Sequence, residues 1–134
     1  MKLKLTKIDY PCEQVVVYAE HELGELRGIW DSDTTPIAGR VCLAEVELPP
    51  LEMGRFRKAE AQKAGFRYQL RLNRITGQIR KMDLSAGCLQ LALDEDTLCL
   101  QLPTDGTACD LAEGDWLEVY VNDQQLLIRQ GGVQ

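Results

Sequence analysis

His21 is the only histidine in this 134-residue chain, so a serine, cysteine or zinc mechanism would have to use it. The surrounding stretch HELGE begins like the zinc-protease motif H-E-x-x-H but places Glu25 where the second histidine ligand belongs. No nucleophile in a glycine-flanked turn accompanies His21, and acidic residues flank it in a stretch that we expect to be exposed. The sequence therefore predicts a surface histidine, no catalytic residues and no enzymatic activity.

Two acidic stretches have residue types that bind divalent cations. In DSDTTPIAGRVC, Asp31 and Asp33 occupy the first ligand positions of an EF-hand loop, but Pro36 replaces the turn glycine and Cys42 replaces the bidentate glutamate. The other stretch, DED at 94–96, is typical of the solvated tip of a hairpin. No glycine-rich phosphate-binding loop is present. We therefore predict no metal site and no cofactor.

The cysteines predict free thiols rather than a disulfide framework or a zinc site. They are odd in number, and none is part of a C-x-x-C pair: Cys12, Cys42, Cys88, Cys99 and Cys109. The N-terminal stretch MKLKLTKIDY lacks the continuous apolar core of a signal peptide. No apolar run approaches the roughly 20 residues that a membrane-spanning helix requires. We expect a cytoplasmic protein with reduced thiols that does not enter a membrane.

A basic segment at 55–81 stands out because the whole chain has a net charge of -6. It contains nine basic residues and one acidic residue, which gives a local charge of +8. The overall acidity argues against bulk nucleic-acid binding, which requires many lysines and arginines. Two interpretations remain: a solvated strand face beside acidic strands such as that of Glu45 and Glu47, or a docking face for an anionic partner.

The arrangement of charge and aromatic residues within this segment bears on that choice. If 66–73 forms one strand, Arg67 and Arg71 point to one side, and Phe66 and Tyr68 point to the core. The aromatic stacking platform that single-stranded nucleic acids require is then missing from the arginine side.

The elements that must position these residues are β-strands, because apolar residues recur with a period of two. The clearest case is CLQLALDEDTLCLQLP, which predicts a hairpin with Leu93 opposite Leu98 and a loop over 94–97. In that register all six leucines share one face, and Cys99 points away from them. The stretch 39–49 alternates in the same way, with Cys42 and Ala44 inward.

Further strands are predicted around 2–8, 14–19, 23–30, 66–72 and 116–121, and 126–129 is predicted to return beside 116–121 after a turn at Asn122-Asp123. The only helix candidate is 51–64, where alanines precede Gly65. Six to eight strands and at most one short helix indicate a single all-β domain over 1–134. Its architecture is a mainly antiparallel β-barrel or sandwich, with an OB-like barrel within range.

The stretches ALDEDTLCLQL, GDWLEVYV and LLIR, together with GRVCLAEVELP upstream, resemble small β-rich immunity proteins of bacterial polymorphic toxin systems. The similarity spans about 39–129, although Cys42 stands where an aromatic residue is expected and the basic segment is an addition. Such proteins bind a toxin and occlude it, so no catalytic residues carry over. The resemblance implies a non-catalytic inhibitor whose partner is a toxin domain.

The sequence leaves the charge of that partner and the oligomeric state open. A basic partner is expected to contact the acidic residues Asp31, Asp33, Glu45, Glu47, Asp94, Glu95 and Asp96. An acidic partner is expected to contact the basic residues Arg55, Arg57, Lys58, Arg67 and Arg71. The alternative function is an OB-like module that binds single-stranded nucleic acid through the basic segment.

Overall fold

A computed structural model describes residues 1–11, 13–52, 54–103 and 110–131. Within these ranges the protein is all-β, with eleven strands and no helix. The fold class predicted from the sequence is confirmed, although the strands outnumber the six to eight expected. No helix in the described part of the chain is long and apolar enough to cross a membrane. The predictions for Cys12 and Cys109 concern residues outside the described ranges.

The strands follow one another along the chain and join into one sheet. They are β1 (Lys2–Asp9), β2 (Val16–His21), β3 (Gly24–Trp30), β4 (Val41–Glu47), β5 (Phe56–Lys58), β6 (Gly65–Gln69), β7 (Leu72–Asp83), β8 (Cys88–Leu93), β9 (Asp96–Gln101), β10 (Trp116–Asn122) and β11 (Leu127–Gln130).

Five of these strands close into a mixed β-barrel. Strands β1, β2 and β3 form an antiparallel meander, β4 pairs with β1, and β11 pairs with β4 on one side and, in parallel, with β3 on the other. The interior is filled by alternate residues such as Leu3, Leu5, Leu26 and Ile128, each at most 1% exposed. Five strands closed in this way also match the size of an OB-like barrel.

The other strands extend the sheet away from the barrel. Strand β6 joins β3 through the pair Gly24↔Phe66 and continues through β7 and β10 to the short edge strand β5. Gly24 must be glycine because its φ is +140° and a Cβ there would lie 1.8 Å from the Phe66 carbonyl oxygen. The β8–β9 hairpin branches from β7.

The prediction that 66–73 forms one strand is wrong, because the chain reverses at Leu70-Arg71. Both residues have positive φ, 53° and 66°, and the pairs Gln69↔Leu72 and Arg67↔Arg74 follow. Two-residue turns of this kind match the twist of paired strands, but they usually contain glycine or asparagine. The dipeptide Leu70-Arg71 therefore does not predict a turn. Arg71 therefore lies in the turn and does not share a strand face with Arg67.

The β8–β9 hairpin is confirmed, but its predicted register is wrong by two residues. The turn is only Asp94-Glu95, with Asp94 at a φ of 58°, so that Leu91 pairs with Leu98 and Leu89 with Leu100. A shift of two residues leaves every side chain on its original face, so alternation alone does not distinguish the two registers. All six leucines are buried and Cys99 is exposed, as predicted.

The helix candidate at 51–64 is wrong. Its described residues contain strand β5, in which Phe56 pairs with Val119 and Arg57 with Glu118. The edge of β10 offers backbone partners and an apolar contact for Phe56, and this tertiary pairing overrides the weak helical preference of the alanines.

The predicted hairpin between 116–121 and 126–129 is also wrong, because β11 leaves β10 and completes the barrel. The Leu126 carbonyl accepts a hydrogen bond from Ile29 N at 2.8 Å, and Leu126 is fully buried. Gly28 permits this approach, since a Cβ there would lie 2.5 Å from the Leu126 oxygen. The row predicted for the inside of β10 (Leu117, Val119 and Val121) is buried as expected.

Candidate functional site

The outer side of the β6–β7–β10–β5 sheet collects arginines around one tyrosine. Residues paired across antiparallel strands point to the same side, and Arg67 pairs with Arg74, which pairs with Tyr120 on β10. Glu118 lies two residues before Tyr120 on β10, on the same side of the sheet, and it pairs with Arg57 of β5. We call Arg57, Arg67, Arg74, Glu118 and Tyr120 the basic face.

Tyr120 is the centre of the basic face. The guanidinium carbons of Arg74 and Arg57 lie 5.5 and 6.0 Å from the centre of its ring, within the range of cation–π attraction. The Glu118 Oε1 accepts hydrogen bonds from Arg57 Nε, at 3.0 Å, and from the Tyr120 hydroxyl. The sheet therefore presents an aromatic ring with positive charge on two of its sides.

Hydrogen bonding shifts the acid–base properties of this cluster. Burial alone raises the pKa of Glu118, but the hydrogen bonds from Tyr120 and Arg57 outweigh it and place the pKa below its ordinary value. Burial and the Glu118 carboxylate raise the pKa of the Tyr120 hydroxyl. The same carboxylate raises the pKa of Arg57. By side-chain type the face contains three basic residues and one acidic residue.

Two of its arginines form no salt bridge with any carboxylate in the described part of the chain. Among the described residues, no carboxylate lies within 4.0 Å of Arg67 or Arg74, whereas Arg57 is paired with Glu118. These two arginines are directly opposite each other in the register, and like charges in that arrangement destabilise a sheet. Beside them, Leu70 at the tip of the β6–β7 turn is 90% exposed. An anionic group bound here would relieve the repulsion.

The structure changes the conclusion about aromatic residues. Phe66 is buried, and Tyr68 is half-buried on the side of the sheet opposite Arg67, as the alternation predicted. However, Tyr120 comes from another strand and lies on the arginine side. Sequence reasoning missed both Tyr120 and Arg74. The alternation in WLEVYV does separate Tyr120 from the core row, but only the pairing of β10 with β7 places it beside arginines.

The remaining predicted basic contacts lie around or away from this face. The Arg55 carbonyl accepts a hydrogen bond from Tyr120 N at 2.8 Å, and the Arg55 side chain is exposed. Lys58 is paired with Asp115 at 3.5 Å. Arg71 is exposed at the β6–β7 turn. Of the five predicted basic residues, Arg57 and Arg67 belong to the basic face, and Arg55 adjoins it.

The predicted acidic contacts do not share one ion-pair group, and they do not neighbour the basic face. Arg129 on β11 donates to Asp31 at 2.8 Å and to Glu47 at 3.5 Å, and Glu45 is its cross-strand partner. The pairs of β4 are with β1 and β11, so Glu45 and Glu47 are not the strand neighbours of the basic segment. That role belongs to Glu118. Asp33 is exposed after β3.

The acidic β8–β9 turn has a structural contact. Asp94 and Glu95 are exposed at its tip, whereas Asp96 Oδ2 lies 2.7 Å from His21 Nε2. His21 Nδ1 accepts a hydrogen bond from Leu23 N at 3.0 Å, so Nε2 must carry the proton that is donated to Asp96. The expectation of a surface histidine is wrong, because the hairpin turn covers the ring and leaves it 6% exposed. Both ring nitrogens are engaged, which leaves no free base nitrogen.

A second polar cluster lies between the barrel and the extension. Arg27 Nη1 donates to Asp123 Oδ2 and to the Tyr68 hydroxyl, both at 2.9 Å, and that hydroxyl donates to Asp123 Oδ2 at 2.7 Å. Burial lowers the pKa of Arg27, but Tyr68 and the Asp123 carboxylate more than offset this and raise it. Burial raises the pKa of Tyr68, and Asp123 raises it further.

No group of three or more His, Cys, Asp or Glu side chains within the described ranges is arranged to hold a metal ion. The described thiols of Cys42, Cys88 and Cys99 are free, and burial raises the pKa of Cys42. In comparisons with known proteins, no protein-family model and no curated protein matches this chain.

Proposed function

We propose that this protein is a non-catalytic cytoplasmic inhibitor that occludes a bacterial toxin, and that the basic face is its docking surface. The observation that carries the proposal is the convergence of Arg57, Arg67 and Arg74 around Tyr120 on one side of the sheet. Tyrosine and arginine are enriched among the residues that contribute most to protein–protein affinity. The resemblance to immunity proteins supports the class of partner.

The charges of the basic face define the partner's chemistry. With three arginines against one glutamate, the face is complementary to a toxin surface rich in Asp and Glu, and it would accelerate association by electrostatic steering. The acidic groups at Arg129 and at the β8–β9 turn are the weaker alternative, because Asp31 and Glu47 are already paired with Arg129 and Asp96 with His21.

The test is binding to the product of a neighbouring toxin-like gene, measured by calorimetry with the full chain. Arg67→Glu combined with Arg74→Glu should weaken the complex about 100-fold, since reversing two interfacial charges removes about 2.7 kcal/mol or more. Lys2→Glu combined with Lys4→Glu is the matched control, because these exposed lysines lie on β1 of the barrel and the charge change is identical.

The two parts of the proposal fail separately. If no neighbouring gene product forms a complex, the inhibitor function is refuted. If a complex forms and both double variants bind it equally well, the function stands but the basic face is not the docking surface.

A second candidate function, single-stranded nucleic-acid binding, is favoured by the position of Tyr120 beside the arginines. A base stacked on an aromatic ring contributes about 1–3 kcal/mol, and three arginine–phosphate contacts predict a slope of about -2 in the logarithm of affinity against that of salt. Fluorescence anisotropy with an oligothymidylate of about 12 nucleotides tests the slope when the salt concentration is varied, and the same titration of Tyr120→Ala tests the stacking contribution. Absence of binding at about 50 mM salt excludes this candidate.

A further inference from the structure

The Arg27–Asp123 cluster forms one wall of a cavity that lies apart from the basic face. Arg27 is held on three sides: Asn73 exchanges hydrogen bonds with its backbone at 2.9 and 2.7 Å, Tyr18 lies 4.7 Å from its guanidinium, and Asp123 accepts from Nη1. Asp123 is 4% exposed. The pair is therefore preorganised and mostly removed from water.

Each member of this pair has a hydrogen-bonding edge to spare. Asp123 accepts both of its described hydrogen bonds at Oδ2, and Arg27 donates both of its described side-chain bonds from Nη1. Arg27 Nε is buried and has no partner among the described residues, so it is not available to a ligand. Both residues line the cavity, so a ligand there would meet the terminal nitrogens of the guanidinium beside the carboxylate.

The cavity has a volume of about 490 Å³, within the range of small-molecule sites. It lies where the segment between β1 and β2 approaches the β6–β7 turn and the end of β10. The residues of its lining that matter here are Glu13, Val16, Arg27, Arg71, Asp123 and Gln124. Arg71 is tied to the wall, because its carbonyl accepts a hydrogen bond from Asp123 N at 3.0 Å.

The charges of the lining restrict the ligand. The lining contains two arginines, Arg27 and Arg71, and two carboxylates, Glu13 and Asp123, of which Arg27 and Asp123 are already paired with each other, so neither a simple anion nor a simple cation is favoured there. A molecule that carries one charge of each sign can pair with a basic and an acidic residue of the lining at once. Val16 and the ring of Pro11 add an apolar wall beside them.

The geometry points to a binding site for a free α-amino acid of apolar side chain, with its carboxylate toward the arginines and its ammonium toward the carboxylates. This site is independent of the basic face and of the proposed inhibitor function. The probe is L-leucine, titrated into the full chain with isotope-labelled backbone amides. The changes in NMR chemical shift should be largest at the backbone amides of Val16, Arg71 and Gln124.

Two derivatives test the requirement for both charges. N-acetyl-L-leucine lacks the ammonium and L-leucinamide lacks the carboxylate, and each should bind at least about tenfold more weakly than L-leucine. Glu13→Gln and Arg71→Gln should weaken the binding of L-leucine by a similar factor. Neither substitution should affect folding, because both side chains are exposed. Arg40→Gln, an exposed arginine of the segment before β4, is the matched control and should have no effect.

The proposal is overturned if L-leucine causes no shifts at about 10 mM, a concentration that saturates a millimolar site. Equal binding of either derivative also overturns it, since the site would then recognise a simple anion or cation. Binding that is unchanged in both Glu13→Gln and Arg71→Gln would place the ligand elsewhere.

Discussion

The ion pair between Arg27 and Asp123 makes the sharpest prediction about stability. Its side chains are 18% and 5% exposed, so removing one partner leaves a charge that water reaches poorly. We consider Arg27→Met, which keeps an apolar stem, and Asp123→Leu, which keeps the branched shape, each alone and combined. Tyr68 remains as a partial partner in both single variants.

The two single variants should differ in magnitude. Breaking a buried pair destabilises by about 3 kcal/mol, the lower end of the observed range being appropriate because the Tyr68 hydroxyl remains as a partner for whichever charge is left. Asp123→Leu should show this full loss. Arg27→Met also removes the buried Nε that has no partner, which recovers about 1 kcal/mol and leaves a net loss of about 2 kcal/mol.

The double variant should be destabilised by less than either single variant, because it leaves no uncompensated charge and the replacement of a whole buried pair by apolar side chains is often close to neutral. Urea unfolding followed by tryptophan fluorescence measures all four proteins, and unchanged m values would show that the native states remain comparable. Losses that add within about 0.5 kcal/mol would refute the coupling. If Arg27→Met destabilised as much as Asp123→Leu, the account of the unpartnered Nε would be wrong.

Two further predictions concern a glycine and a carboxylate. Gly24→Ala should destabilise by several kcal/mol more than Gly39→Ala, because both have positive φ but only Gly24 would place a Cβ against a backbone oxygen; equal losses in thermal or urea unfolding would contradict this. The lowered pKa of Glu118 stabilises the fold above its unfolded pKa of about 4.3, and this contribution disappears as the pH falls through the lower folded value. The wild type should therefore lose more stability between neutral and acidic pH than Glu118→Gln, and parallel pH profiles from urea midpoints would contradict the assignment.

The all-β class and the inner rows of the strands could be predicted from the sequence. Leu117, Val119 and Val121 are buried as expected, because the alternation of side chains across a strand is a property of the local backbone. The β8–β9 hairpin shows where this information ends. Its leucines are all buried as predicted, but the observed register differs from the predicted one by two residues. Alternation cannot detect this difference, because a shift of two residues leaves every side chain on the same face.

The candidate site required more than local information. The sequence located the concentration of basic residues, and it correctly placed Phe66 on the side away from Arg67. It did not locate the turn at Leu70-Arg71, because neither residue type is typical of positive φ. Arg74 was consequently not recognised as the cross-strand partner of Arg67.

What the sequence by itself determined is therefore which residues alternate toward a core and where the positive charge is concentrated. The tertiary structure alone decided what meets that charge. Glu118 of β10 reaches Arg57 from 61 residues further along the chain, Tyr120 of the same strand reaches Arg74, and Asp96 reaches His21 from the β8–β9 turn. The physical reason is that a strand's alternation is local, whereas its neighbour in a sheet is chosen by backbone pairing and apolar contact between distant segments.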